Sequence, residues 1–245
     1  MRIVAIVQAR MTSTRLPGKV LLEVEGKPLL TYLVERLRRA NTINEICIAT
    51  TVNETDDVLA EFCQEQGIRC YRGSEHDVLS RYYHAAVEAK ADVVVRITSD
   101  CPLIDPAVVD KAVKYYLDNG GMYDYVSNSL ERTYPRGMDT EVFSFRALEE
   151  AYNHADKAYE REHVTPYLYQ NPERFRLSNV AYGEYQAKYR WTVDTPEDFE
   201  LVKLILESLY VTNPTFTLED TLQLLHRHPH WSEINATIEQ KKLTE

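Results

Sequence analysis

Residues 9–19, Ala9-Arg10-Met11-Thr12-Ser13-Thr14-Arg15-Leu16-Pro17-Gly18-Lys19, put three cations and three hydroxyls into one short stretch. Guanidinium and ammonium groups donate charge-assisted hydrogen bonds to phosphate oxygens, so the ligand such a stretch suits is a polyanion, most simply a nucleoside triphosphate. It is not a Walker loop, because Gly18-Lys19 lacks the earlier glycine and the following Ser or Thr. A solvated basic loop is the alternative reading of the same residues.

Two acids complement the cations. Asp100 lies in Thr98-Ser99-Asp100-Cys101-Pro102, behind an apolar run at 93–98, and Asp194 lies in Thr192-Val193-Asp194-Thr195-Pro196-Glu197-Asp198, behind a run at 189–193. Open α/β sheets bind ligands beyond the carboxyl ends of their strands. If the two runs are neighbouring strands, both carboxylates face the crevice that holds the basic loop. One or two Asp side chains together with substrate phosphates are how Mg²⁺ is usually held. The local alternatives are a turn cap for Asp100 and a helix start at Thr195-Pro196, which accounts for every residue of its run except Asp194.

The elements that must position these groups alternate. Strand patterns at 3–7, 46–51, 68–71 and 92–98 interleave with amphipathic helices at 29–37, 56–66, 77–89 and one that starts at Asp105-Pro106. Such alternation predicts a mostly parallel twisted sheet with helices on both faces. Beyond Tyr123 the rhythm changes. Strands are expected at 125–128, 140–145, 175–180 and 189–193, and helices at 146–155, 159–168, 196–209 and 218–226. The reading is a single domain over 1–245 with a small α+β subregion inserted at about 127–187.

The 245 residues suffice for a large core, and the formal charge of −10 argues against a nucleic-acid binder, which needs a surplus of Lys and Arg. Cys47, Cys63, Cys70 and Cys101 form no close metal-ligand pairs and read as free thiols of a reducing compartment. No stretch is long and apolar enough to span a bilayer. The apolar start is also too short for a signal peptide. The expectation is a cytoplasmic protein with no membrane partner.

The stretch Gln8-Ala9-Arg10…Ser13-Thr14-Arg15-Leu16-Pro17-Gly18-Lys19, with Gly26-Lys27-Pro28 behind it, resembles the opening of the sugar-acid cytidylyltransferases, the CMP-Kdo and CMP-sialic acid synthetases. Asp100-Cys101-Pro102 and Val193-Asp194-Thr195-Pro196-Glu197-Asp198 resemble that family's two metal motifs. Arg136-Gly137-Met138-Asp139…Glu141-Val142-Phe143-Ser144 and Arg161-Glu162-His163-Val164-Thr165-Pro166-Tyr167 are closer still to the branch of spore coat polysaccharide biosynthesis protein F.

The resemblance implies a Rossmann-like nucleotidyltransferase that joins CTP to a nonulosonic or Kdo-like sugar acid and releases pyrophosphate, for surface or spore coat polysaccharide. It places the nucleotide on Ala9, Arg10, Ser13, Arg15 and Lys19, with Arg72 near the cytosine, and Mg²⁺ on Asp100 and Asp194. Arg15, Lys19 and Asp100 would carry the chemistry.

The acceptor half departs from the better-known synthetases. Asp139 and Glu141 alternate with apolar neighbours, so both are expected on one face of a strand. Arg136 is expected to clamp a sugar carboxylate, and His163 to reach the same pocket. An inter-subunit salt-bridge network is the alternative for this cluster, and a homodimer through 127–187 is the expected assembly. Two other functions fit part of the pattern: a glycosyltransferase using a nucleotide-sugar, and a non-catalytic nucleotide-binding partner in polysaccharide assembly. A transferase acting on a sugar or alcohol phosphate is also open.

Overall fold

The computed structural model describes residues 1–241 and 243. β1 (Ile3–Gln8) runs into the cationic loop, a 3-10 turn and a small ribbon of β2 (Glu23–Val24) and β3 (Lys27–Pro28). Then come α1 (Leu29–Leu37), β4 (Glu45–Thr51), α2 (Asp57–Gln66), β5 (Arg69–Gly73), α3 (Val78–Ala89), β6 (Val93–Thr98) and α4 (Pro106–Asp118). The second half adds β7 (Tyr125–Ser127), β8 (Glu141–Ser144), α5 (Phe145–His154), α6 (Ala158–His163), α7 (Pro166–Tyr169), β9 (Leu177–Asn179), α8 (Pro196–Leu209) and α9 (Leu218–Arg227).

Seven strands form one sheet in the order β5-β4-β1-β6-β8-β7-β9. Only β8 runs against the others, pairing antiparallel with β6 and β7. Side chains alternate across a strand, and here both faces are buried. Ala5, Val7, Val95 and Ile97 pack with Leu30, Leu33 and Val34 of α1 and with Val109 and Val113 of α4. Val4, Ile6 and Val94 pack on the other face with Leu79, Tyr82 and Ala86 of α3 and Leu148 of α5. A third cluster seats Trp191 against Leu201, Val202 and Ile205 of α8 and Leu29 and Tyr32 of α1. It joins the segment that carries Asp194 to the body of the sheet. The strands of 127–187 continue the central sheet, with α5 and α7 on the α3 face.

Several helix starts fall where capping chemistry puts them. Asp77 accepts from Ser80 N–H, and Asp105 from Ala107 N–H ahead of Pro106. Thr195 and Asp198 form a reciprocal capping box at α8.

Two expected elements differ. The helix at 159–168 is two short helices, broken at Val164 with φ 73°, because Pro166 supplies no N–H to continue the first and is set to start the second. The expected strand at 189–193 makes only an isolated bridge, Arg136 with Arg190. Its apolar pattern arises from burial of Trp191 and Val193, while its amides go to loop carbonyls, Trp191 N–H to Arg136 at 2.8 Å and Val193 N–H to Asp100 at 2.8 Å.

Candidate active site

The cationic loop leaves the sheet at the carboxyl end of β1 and is tied down at two places. Gly18 has φ 70°, in the left-handed region that favours glycine, and its N–H donates to the Met11 carbonyl at 2.9 Å. Asp56, fully buried, accepts from Met11 N–H at 2.8 Å and from the Thr50 and Thr51 hydroxyls at 3.0 and 2.6 Å. Burial alone would raise the Asp56 pKa, but these hydrogen bonds outweigh it and hold the carboxylate below its ordinary range.

Asp100 and Asp194 meet although no strand carries the second. The Val193 N–H bond to the Asp100 carbonyl sets their spacing. Lys19 Nζ then lies 2.8 Å from Asp194 Oδ1 and 3.2 Å from Asp100 Oδ2. Burial would lower the Lys19 pKa, yet the two carboxylates prevail and raise it. Burial likewise opposes the Asp100 charge, and Lys19 with the Thr98 hydroxyl, 2.5 Å away, keeps it ionised and its pKa low. The other oxygen of Asp194 accepts from Arg190 at 2.7 Å and forms an ion pair with Arg15 at 2.8 Å.

These groups border a cavity of about 210 Å³, whose lining includes Ala9, Arg10, Ser13, Arg15, Lys19 and both aspartates. Ala9 contributes wall only, since its N–H is taken by the Ala49 carbonyl at 3.2 Å. The donor set fits a hard divalent cation, because two carboxylate oxygens already converge on a single positive charge. Among the described residues no group of three or more His, Cys, Asp or Glu side chains could hold a metal ion. Protein ligands here are therefore few, and phosphate oxygens and water would complete the shell, the mode usual for Mg²⁺.

A second cavity, of about 540 Å³, opens beside the first and shares Glu162, His163 and Lys241 with it. Asp139 and Glu141 both line it, though each carboxylate is already paired. Arg132 holds Asp139 through two bonds of 2.5 and 2.7 Å, and Arg96 holds Glu141. Burial depresses the His163 pKa, so the imidazole at the junction is neutral at pH 7.

Two expected site residues go elsewhere. Arg136 lines a separate pocket with Lys188, Tyr189 and Arg190, because Gly137 (φ 101°) turns the chain between it and Asp139. Arg72 is not part of the cavity wall; its guanidinium bonds the Thr51 and Asn53 carbonyls, both at 2.9 Å, and Asp57 at 2.7 Å. Conversely, Arg81, Arg96, Arg190 and Lys241 are in the site or bonded to it without having been singled out in the sequence, whereas Gln8, also in the cavity wall, opens the family-like stretch.

The sequence matches the profile of the family described as cytidylyltransferase over residues 4–231. The chain belongs to the cytidylyltransferase family. As a cytidylyltransferase it is a nucleotidyltransferase, an enzyme, and its sheet is the one such enzymes share. It is 35% identical to the spore coat polysaccharide biosynthesis protein SpsF of Bacillus subtilis, over 93% of this chain and 95% of that one. It is 34% identical to the 3-deoxy-manno-octulosonate cytidylyltransferase of Trichlorobacter lovleyi over 50% of this chain and 48% of the other. A solved cytidylyltransferase structure from Leptospira borgpetersenii superimposes with a TM-score of 0.92 at 34% identity, covering 98% of this chain and all of that one. No helix of the described residues is long and apolar enough to cross a membrane.

Proposed function

We propose that this cytidylyltransferase transfers CMP from CTP to a hydroxyl of a sugar acid of the nonulosonic or Kdo-like class, with Mg²⁺ at Asp100 and Asp194, for surface polysaccharide assembly. The observation that carries the reading is the convergence of Lys19, Asp100 and Asp194 at the mouth of the cationic loop. The names of the relatives above support the acceptor class.

In this reaction a bond forms between the acceptor oxygen and the α-phosphorus, and the bond from that phosphorus to the bridging oxygen breaks, expelling pyrophosphate. Alignment and charge neutralisation do most of the work in phosphoryl-type transfers. Arg10, Arg15 and Lys19 bind the triphosphate and offset charge growing on the leaving pyrophosphate. Asp100 and Asp194 hold the divalent cation, which when bound neutralises phosphate charge and makes the attacking hydroxyl more acidic. The second cavity, with Tyr125, Tyr169 and the paired Asp139 and Glu141 in its walls, receives the acceptor. Its shared border with the first, at Glu162 and His163, brings the hydroxyl to the nucleotide.

The test is thermal unfolding with CTP, UTP, GTP and ATP, each with and without Mg²⁺, followed by a pyrophosphate-release screen of sugar acids. A ligand at a hundred times its dissociation constant adds about 2.7 kcal/mol. A shift confined to CTP with Mg²⁺, and turnover with a sugar acid, supports the reading. Equal shifts with all four nucleotides, or release only with a sugar phosphate, overturns it.

A further inference from the structure

The chain has 38 acidic side chains against 28 basic ones, yet one pocket is charged by cations alone. It measures about 130 Å³, and its wall includes Arg136, Lys188, Arg190, Ser232, Asn235 and Ile238, with no Asp or Glu among the described lining residues. It shares no residue with the two cavities of the candidate active site.

The three cations are not equivalent. Arg190 is matched by Asp194 and Asp198, and its Nη1 donates to Gln240 Oε1 at 2.7 Å. The side chains of Arg136 and Lys188 have no hydrogen bond or ion pair among the described residues. Lys188 rests over the Tyr189 ring, 4.9 Å from its centre. Arg136 is half-buried, and its pKa is lowered, first by burial and then by the Arg132 and Arg190 charges. Asp139 opposes this shift, but both its oxygens are held by Arg132. A guanidinium does not shed its proton in a protein, so the repulsion persists until an anion arrives.

The backbone builds this arrangement. Arg136 and Arg190 bridge as parallel neighbours, with Arg136 N–H bonded to the Tyr189 carbonyl at 3.0 Å and Trp191 N–H to the Arg136 carbonyl at 2.8 Å. Gly137 permits that approach, because a Cβ there would come within 2.8 Å of the Trp191 carbonyl. Asn235, 4% exposed, ties the remaining wall to it by donating to the Arg190 carbonyl at 2.9 Å and to Asp198 at 2.8 Å.

We propose that this pocket is a second anion site, taking free inorganic phosphate, and that its occupant acts on the acceptor cavity through Arg190 and Gln240. Two uncompensated positive charges match a dianion, and a guanidinium fork matches phosphate oxygens. Phosphate takes Nη1 of Arg190 from Gln240, since a charged acceptor makes the stronger bond than a neutral amide. Gln240 and Lys241 line the second cavity, so the exchange reaches the place where the acceptor sits, a step that rests on the acceptor reading above.

The experiment is calorimetric titration of inorganic phosphate, without nucleotide, into the wild type, Arg136→Met, Lys188→Met, Gln240→Ala and Arg10→Ala, the last altering the cationic loop alone. The wild type should show a site that persists in Arg10→Ala and weakens about 10-fold or more in Arg136→Met and in Lys188→Met, the worth of a hydrogen bond to a charged group. Lys188 is exposed, so its variant reports on the site even where Arg136→Met disturbs the fold. Gln240→Ala should bind phosphate about 5-fold tighter, the worth of one net hydrogen bond, because the competitor for Arg190 is gone. No phosphate binding by the wild type, its complete loss in Arg10→Ala, or wild-type affinity in Lys188→Met and a folded Arg136→Met overturns the site. Unchanged affinity in Gln240→Ala overturns the link to the acceptor cavity. An intact phosphate site in a protein that ignores CTP with Mg²⁺ overturns the parent reading alone.

Discussion

Arg190 holds Asp194 by one oxygen. The 2.7 Å bond goes to Oδ2, and Oδ1 is left facing Lys19. Arg190 also bonds Asp198, which is wholly buried, through Nε at 2.9 Å. Arg190→Ala would take the guanidinium from the buried Asp198 carboxylate and remove one of the three cations at Asp194, so a loss of about 3–5 kcal/mol is expected. Urea denaturation measures it, and a loss under 1 kcal/mol would show that the network is dispensable.

Asp100→Asn and Asp194→Asn keep the shape of the site and remove one negative charge each. Pyrophosphate release should fall by about 100-fold or more in both, with the circular dichroism spectrum unchanged. Full activity in either variant would remove that residue from the cation site.

His163 makes stability depend on pH. Its pKa is depressed from the usual 6.5, burial being the main cause and the Arg96 charge adding to it. The unfolded chain then binds more protons than the folded one below about 6.5, so stability is fully present above that pH and is lost as pH falls toward the folded value. His163→Gln should flatten the melting temperature between pH 7 and 5 relative to wild type. An identical slope in the two proteins would show that other groups control this window.

Much of the architecture was legible because parallel strands are buried on both faces and so read as unbroken β-branched runs, as Val93-Val94-Val95 does. The pairing of Asp100 with Asp194 was legible only as a conditional, and the condition failed in its letter. The two aspartates meet through one amide of an irregular segment, not through adjacent strands. Arg136 and Asp139 stand three residues apart in one motif, but the positive φ of Gly137 sends them to different cavities, and no spacing rule reveals that. Arg81 was hidden for another reason. In a helix read by its apolar stripe, an intervening arginine looks solvated, and only the sheet edge and Gly73 bury it.

The ammonium of Lys19 has a last consequence, for the order in which ligands arrive. Before any ligand binds, the seat between the aspartates is filled by the protein's own cation. A free metal ion must evict it, with no phosphate near to receive it. A triphosphate offers Lys19 new oxygens, and the aspartates are released as the nucleotide settles. Metal and nucleotide should therefore enter as a unit. Calorimetry would record strong positive coupling between them, with the metal alone giving almost no heat, and independent binding would rule this out.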